Sequence, residues 1–263
     1  MEPIKIRSID GIELDAVIHP RKGNTPLGCV IQVHGITADM DEGGMFVRLA
    51  ERLANSGFDV LRFTYRGHGK SGGTQRGVTI AGEMLDLQAA FDFAIERFNE
   101  PLAIVAASFG AVSTCLLHPY IEKRIRALAL WNPVLDLIRT FINPELPWGK
   151  QNFNKECTKQ LISRGFLLLD GSFEIGRVLW EEMQLYNPYR CFVESSVPAM
   201  IVHGDKDSYV PYSVSRTASQ QRNRCDFFTI EGSDHGFDGR EKEDRAIDIT
   251  VNWLEKLFRS RTL

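Results

Sequence analysis

Apolar positions along the chain gather into short runs, and stretches with apolar residues at helical spacing lie between them. Two alternating runs at 4–9 and 12–18 flank Asp10-Gly11, a dipeptide suited to a tight hairpin turn. A buried strand is predicted at 28–34, ending at His34-Gly35. Another is predicted at 58–64, before the loop Arg66-Gly67-His68-Gly69-Lys70-Ser71-Gly72-Gly73. Between these strands Phe46, Leu49 and Leu53 share one face of a helix over 44–56, which Gly57 stops. A longer helix is predicted over 79–98, with Leu85, Ala89 and Phe93 at helical spacings. Apolar runs at 102–107 and 125–131 read as further strands. After a break the alternation resumes with strand 199–203, helix 213–222, strand 226–230 and a last helix over 242–258.

Buried strands alternating with amphipathic helices predict an α/β fold, a mostly parallel twisted sheet with helices on both faces. Right-handed crossovers follow from chain chirality, and ligands bind outside the carboxyl ends of such strands. Between 132 and 196 the alternation lapses into a segment rich in aromatic residues, prolines and charges. Within it the runs 165–169 and 172–175 flank Asp170-Gly171, a second hairpin signal, and a helix over 175–184 follows. The expected organisation is a core of 1–131 and 197–263, with 132–196 inserted as a cap over the carboxyl edge of the sheet.

Composition narrows the functional classes. A net charge of -3, with no basic run or aromatic-interleaved basic patch, argues against nucleic acid as a partner. No apolar run reaches the length of a membrane span, and the first residues lack the apolar core of a secretory signal. Five scattered cysteines, odd in number and without a Cys-x-x-Cys pair, point away from disulfide or zinc frameworks and toward a reducing, cytoplasmic setting. No His-x-x-x-His or carboxylate cluster suggests a metal. Gly69-Lys70-Ser71 has the ending of a phosphate-binding loop, but Thr64 stands where its first glycine is needed.

One corner concentrates the candidate chemistry. The strand at 102–107 stops at Ser108 within Ala106-Ala107-Ser108-Phe109-Gly110, close to the Gly-x-Ser-x-Gly nucleophile elbow with Ala106 in place of the first glycine. A capping serine on an ordinary helix is the competing explanation. Acyl transfer by serine needs a histidine base and an acid that orients it, and both lie later in the chain, each just after a strand. The loop after 199–203 reads Gly204-Asp205-Lys206-Asp207-Ser208-Tyr209-Val210-Pro211, and the loop after 226–230 reads Gly232-Ser233-Asp234-His235-Gly236-Phe237. Asp205 competes with Asp207 for the acid position, and the Gly-x-x-Asp spacing favours Asp207. Asp234 reads as a loop-shaping residue, His203 as a strand end, and His34 and His68 as groups that more often brace loops than transfer protons.

His34-Gly35-Ile36, Arg66-Gly67-His68-Gly69, the serine corner, Gly204-x-x-Asp207-x-x-Val210-Pro211 and Ser233-Asp234-His235 together resemble the α/β-hydrolases over nearly the whole chain. The His-Gly-x loop and a cap with a hairpin are similar to the cinnamoyl (feruloyl) esterase-like group, and to monoacylglycerol-lipase and serine-aminopeptidase relatives. The resemblance implies Ser108 as nucleophile, His235 as general base and Asp207 as its orienting acid. It also implies an oxyanion hole from the backbone N–H groups of Ile36 and Phe109. His34 and Trp148 are candidate substrate contacts, with half of the cap aromatics expected to line an acyl or aryl pocket and half to form the cap's own core. The implied activity is cofactor-free hydrolysis of small to medium acyl or aryl esters, hydroxycinnamoyl esters among them, through an acyl-enzyme. The partner is then a small-molecule ester substrate, and a homodimer is left open. A thioesterase or amide/peptide hydrolase with the same three residues, and a non-catalytic small-ligand sensor, are the alternatives.

Overall fold

The computed structural model describes residues 1–260. Glu2–Arg7 (β1) and Glu13–His19 (β2) pair antiparallel across the Asp10-Gly11 turn. Gly28–Val33 (β3), Met45–Ser56 (α1), Phe58–Phe63 (β4), Ile80–Phe98 (α2), Leu102–Ala107 (β5), Gly110–Ile121 (α3) and Ile125–Trp131 (β6) follow in the expected alternation. Pro147–Asn152 (α4), Lys155–Arg164 (α5), Phe166–Leu169 (β7), Phe173–Gly176 (β8), Arg177–Glu182 (α6) and Pro188–Glu194 (α7) fill the aromatic-rich segment. Ala199–Gly204 (β9), Tyr212–Gln221 (α8), Cys225–Ile230 (β10) and Arg240–Arg259 (α9) complete the chain.

Eight strands form one sheet in the order β1-β2-β4-β3-β5-β6-β9-β10, parallel from β4 onward. The period-two alternation of side chains divides each inner strand between two cores. Val30, Ala103, Val105, Met200 and Val202 pack under α1 and α9, while Ile31, Ile104, Leu128 and Ile201 pack under α2, α3 and α8. Local signals close the helices as the residue types demand. Gly57 takes φ 104° to end α1, and the Thr79 side chain accepts the Gly82 N–H at the start of α2. Among the described residues no helix is long and apolar enough to cross a membrane.

A third apolar cluster joins the aromatic-rich segment to the carboxyl edge. Ile36, Phe109 and Val112 from the core meet Phe141, Phe153, Leu169, Phe173 and Trp180. The hairpin β7-β8 turns at Asp170-Gly171 as expected, whereas α4, α5 and α7 were not foreseen. Of the ten residues in α5 only Leu161 is buried, so the helix carries no apolar stripe for a periodicity argument to find. The end of the segment behaves differently from its middle: α7 packs on α3 and α8, and its Phe192 joins the core beneath the sheet.

The serine corner depends on how closely α3 approaches β3. A Cβ at Gly110 would stand 2.4 Å from the His34 carbonyl oxygen and 2.8 Å from that of Val33, both backbone atoms with nowhere to go. Gly110→Ala should therefore force the turn apart and cost about 1–3 kcal/mol, seen as a lower urea midpoint at unchanged slope. Five imidazoles are buried in the fold, those of His19, His34, His68, His118 and His203. Burial holds His19 and His118 down to about 4 and His34 to about 3, against about 6.5 for the unfolded side chain. The unfolded chain therefore gains protons that the fold refuses, so stability should decline as pH falls from about 6.5 toward about 4. Urea unfolding followed across that range measures it; constant stability would contradict the burial.

Candidate active site

Ser108 follows directly on β5 with φ 50°, a left-handed conformation that a serine adopts only under constraint. Its neighbours supply the constraint. The Ser108 N–H donates to the Trp131 carbonyl at 2.8 Å, and its own carbonyl accepts the N–H groups of Val134 at 3.0 Å and Ala111 at 3.2 Å. The backbone thus turns abruptly from strand into helix. The side chain is directed to the carboxyl edge of the sheet, where the loops after β3, β9 and β10 also end.

There the predicted residues meet. His235 Nε2 lies 3.0 Å from Ser108 Oγ, and His235 Nδ1 lies 2.8 Å from Asp207 Oδ2. These partners assign the proton to Nδ1, where a carboxylate accepts it, and leave Nε2 free to accept from the serine hydroxyl. Asp207 Oδ1 accepts the N–H groups of Tyr209 and Val210, each at 2.8 Å, and its side chain is wholly buried. Burial pushes the Asp207 carboxyl up, but the charge of His235 and the hydrogen bonds from His203 and His235 outweigh it. The net effect holds it well below the usual carboxylate range.

The two competing acids have other partners. Asp205 accepts the Gly232 N–H at 2.6 Å, and Asp234 Oδ1 accepts the N–H groups of Ser208 and His235, each at 2.7 Å. Both tie the loop after β9 to the loop after β10. Those loops approach so closely that a Cβ at Gly204 would meet the Ser233 carbonyl oxygen at 2.4 Å.

His203 was read only as a strand end, yet its Nε2 sits 3.0 Å from Asp207 Oδ2, beside the bond from His235. Its spacing of four residues from Asp207, across the end of β9, was the available signal. His34 departs from its expected place. It is buried, its Nε2 accepts the Tyr65 N–H at 2.9 Å and its Nδ1 meets the Gly35 carbonyl oxygen at 2.7 Å, so neither nitrogen is left for a substrate. His68 fits the loop-bracing expectation, with ring nitrogens on the carbonyl oxygens of Arg66 and Ile36. The N–H groups of Ile36 and Phe109 have no acceptor among the described residues.

A cavity of about 120 Å³ opens above Ser108 and His235, lined by Ile36, Glu42, Phe141, Trp148, Asp170 and Tyr209 among others. Trp148 comes from α4. Its Nε1 donates to the two Asp170 oxygens at 3.0 and 3.1 Å, and its ring stacks on Tyr209, which in turn stacks on His235. A second serine–histidine contact, Ser195 with His118, lies at the junction of α3 and α7. Glu122 approaches the same His118 Nε2 at 3.7 Å, while Nδ1 has no partner among the described residues, and none of their acids holds the far nitrogen. Ser195 Oγ also accepts from Arg222 at 3.2 Å and from the Val197 N–H at 3.3 Å, and the group serves as a brace.

Known structures share this architecture. Est1E from Butyrivibrio proteoclasticus, solved with ferulic acid bound, superposes with a TM-score of 0.78 at 24% identity, covering 96% of each chain. A putative hydrolase from Agrobacterium vitis S4 gives 0.75 at 20% identity, covering 96% of this chain and 97% of that one. The mouse α/β hydrolase domain-containing protein 10 gives 0.72 at 19% identity, covering 98% and 100%. None of the curated proteins matches the chain. The family model of the serine aminopeptidases, S33, matches residues 24–165, which hold the serine corner and the loops after β3 and β4. The chain belongs to this serine aminopeptidase (S33) family and has the α/β-hydrolase fold.

Proposed function

We propose that the protein is a serine hydrolase that cleaves carboxylic esters through an acyl-enzyme on Ser108. The observation that carries this reading is the continuous hydrogen-bond chain from Ser108 Oγ through His235 to buried Asp207. In the proposed reaction Ser108 Oγ attacks the ester carbonyl as His235 Nε2 takes its proton. Asp207 holds the imidazole in the required tautomer and stabilises the imidazolium. The N–H groups of Ile36 and Phe109 receive the oxyanion, since both lie beside the serine and are otherwise unengaged. His235 then protonates the departing alcohol, and water repeats the sequence to release the acid.

The central part of 132–196 acts in this reading as a cap, with Trp148 and Phe141 against the acyl group. A cavity of about 120 Å³ is small beside pockets of roughly 300–1,000 Å³ for drug-sized ligands, which favours short acyl chains in this conformation. The aromatic lining and the fold shared with Est1E, solved with ferulic acid, make hydroxycinnamoyl esters the aryl substrates to test. The family description favours a second reading, amide hydrolysis by the same residues. Five unpaired cysteines fit a reducing, cytoplasmic setting.

Ser108→Ala should lower turnover of p-nitrophenyl acetate on the order of 10⁶-fold and abolish fluorophosphonate labelling, with the melting temperature retained. Wild-type activity in that variant would end the proposal, and labelling without turnover would favour a sensor. Replacing the acids separates their roles: Asp207→Asn should cost about 10⁴-fold in kcat, and Asp205→Asn far less. The reverse order would transfer the orienting role to Asp205.

A further inference from the structure

Glu42 lies on the loop between β3 and α1, in the run Asp39-Met40-Asp41-Glu42-Gly43-Gly44. It has φ 46°, and Gly43 and Gly44 follow at 62° and 92°, so three consecutive residues occupy the left-handed region. Glycine accepts that conformation freely; for a glutamate it is strained, and such strain gathers at functional sites. The contortion turns the carboxyl inward. Oε2 accepts the Gly35 N–H at a long 3.4 Å. Oε1 lies 3.3 Å from the point where a Cβ at position 35 would stand, and Ser108 Oγ lies 3.6 Å from that same point. Oε1 has no donor among the described residues, and Glu42 lines the cavity together with Ser108 and His235.

Resting on the ester-hydrolase reading, we propose that Glu42 is a further catalytic residue of this site. Its free carboxylate oxygen accepts a hydrogen bond from the water that attacks the acyl-enzyme and holds that water within reach of His235 Nε2. The water oxygen bonds to the acyl carbon while one of its protons passes to His235 and the other stays directed at Glu42. When the bond from acyl carbon to Ser108 Oγ breaks, His235 returns its proton to the serine, and the acid leaves with the water's second proton. Acylation by an activated ester has no water to place, so the contribution of Glu42 falls on deacylation.

Charge supports the assignment. Burial pushes the Glu42 carboxyl up to about 7; the Gly35 N–H and His235 oppose the rise, and Asp39 adds to it. Asp39 and Asp41 on its own loop, His235 after β10 and Asp170 at the hairpin turn across the cavity are the charged or titratable groups around it. An ionised carboxylate accepts a stronger hydrogen bond than a protonated one. Deacylation should therefore rise with pH through the ionisation of Glu42.

Glu42→Gln keeps an acceptor for the Gly35 N–H and the side-chain shape while removing the charge. Stopped-flow release of p-nitrophenol from p-nitrophenyl acetate, with rapid-quench mass spectrometry of the acetylated protein, separates the two steps. The expected result is an acylation rate within about twofold of wild type and deacylation slower by about tenfold or more. The acetyl adduct then accumulates on Ser108, and the pH profile of deacylation loses the ionisation of Glu42. Unchanged deacylation, or an equal fall in both steps, would overturn the proposal. Should Glu42→Gln fail to fold, Glu42→Asp withdraws the carboxylate by one methylene and should slow deacylation alone. The reading of Ser108 fails by a different result, p-nitrophenol release at the wild-type rate from Ser108→Ala.

Discussion

A serine in the left-handed region is held there because strand and helix meet at a distance that admits no side chain. Gly110 lies against the carbonyl oxygens of His34 and Val33, and the Ser108 backbone is tied on its other side to Trp131 and Val134. Relaxing φ at Ser108 would swing α3 away from β3 and open the core around Ala111 and Cys115. Local strain of about 1–3 kcal/mol is small beside the packing that enforces it. The consequence is positional: the hydroxyl stands clear of the sheet, facing loops that arrive from three other strands.

Those loops are held for a common reason, since most of the polar groups beside Ser108 and His235 are already engaged. Asp207 has four hydrogen bonds, from two backbone N–H groups and two imidazoles, which use the whole acceptor capacity of a carboxylate. Asp205 and Asp234 fasten the neighbouring loops to each other. His34 and His68 do the same for the Ile36 turn, and the stack of Trp148, Tyr209 and His235 carries the constraint into the aromatic-rich segment. Such support holds the hydrogen-bond chain of 2.8 and 3.0 Å in place.

Glu42 contrasts with these groups. Asp207, Asp234 and Asp170 each have both carboxylate oxygens engaged by neighbours, whereas Glu42 Oε1 faces the cavity without a donor among the described residues, on a backbone bent to bring it there. In the proposed reaction this asymmetry divides the labour. The engaged groups fix the geometry of Ser108 and His235, and the unengaged one meets the molecule that enters.

Order and type of the core elements were legible in the chain because burial on both faces makes each inner strand a continuous apolar run, with turn residues marking its ends. Ser108, Asp207 and His235 were legible for a related reason, as each follows such a run at the edge where ligands bind. Four features were decided only in three dimensions. Helix α5 has almost no apolar stripe; Asn154 caps it, and Leu161 with half-buried Cys157 anchors it. Phe192 belongs to the core and not the cap, a matter of which surface lay nearest once α3 and α8 were in place. His34 turned from substrate contact to brace, and His203 from strand end to partner of Asp207, because a histidine's role depends on what its two nitrogens meet. Periodicity along a chain records which faces leave water; which polar atoms then come within 3 Å of each other depends on strand order and loop approach, and neither is written at any local spacing.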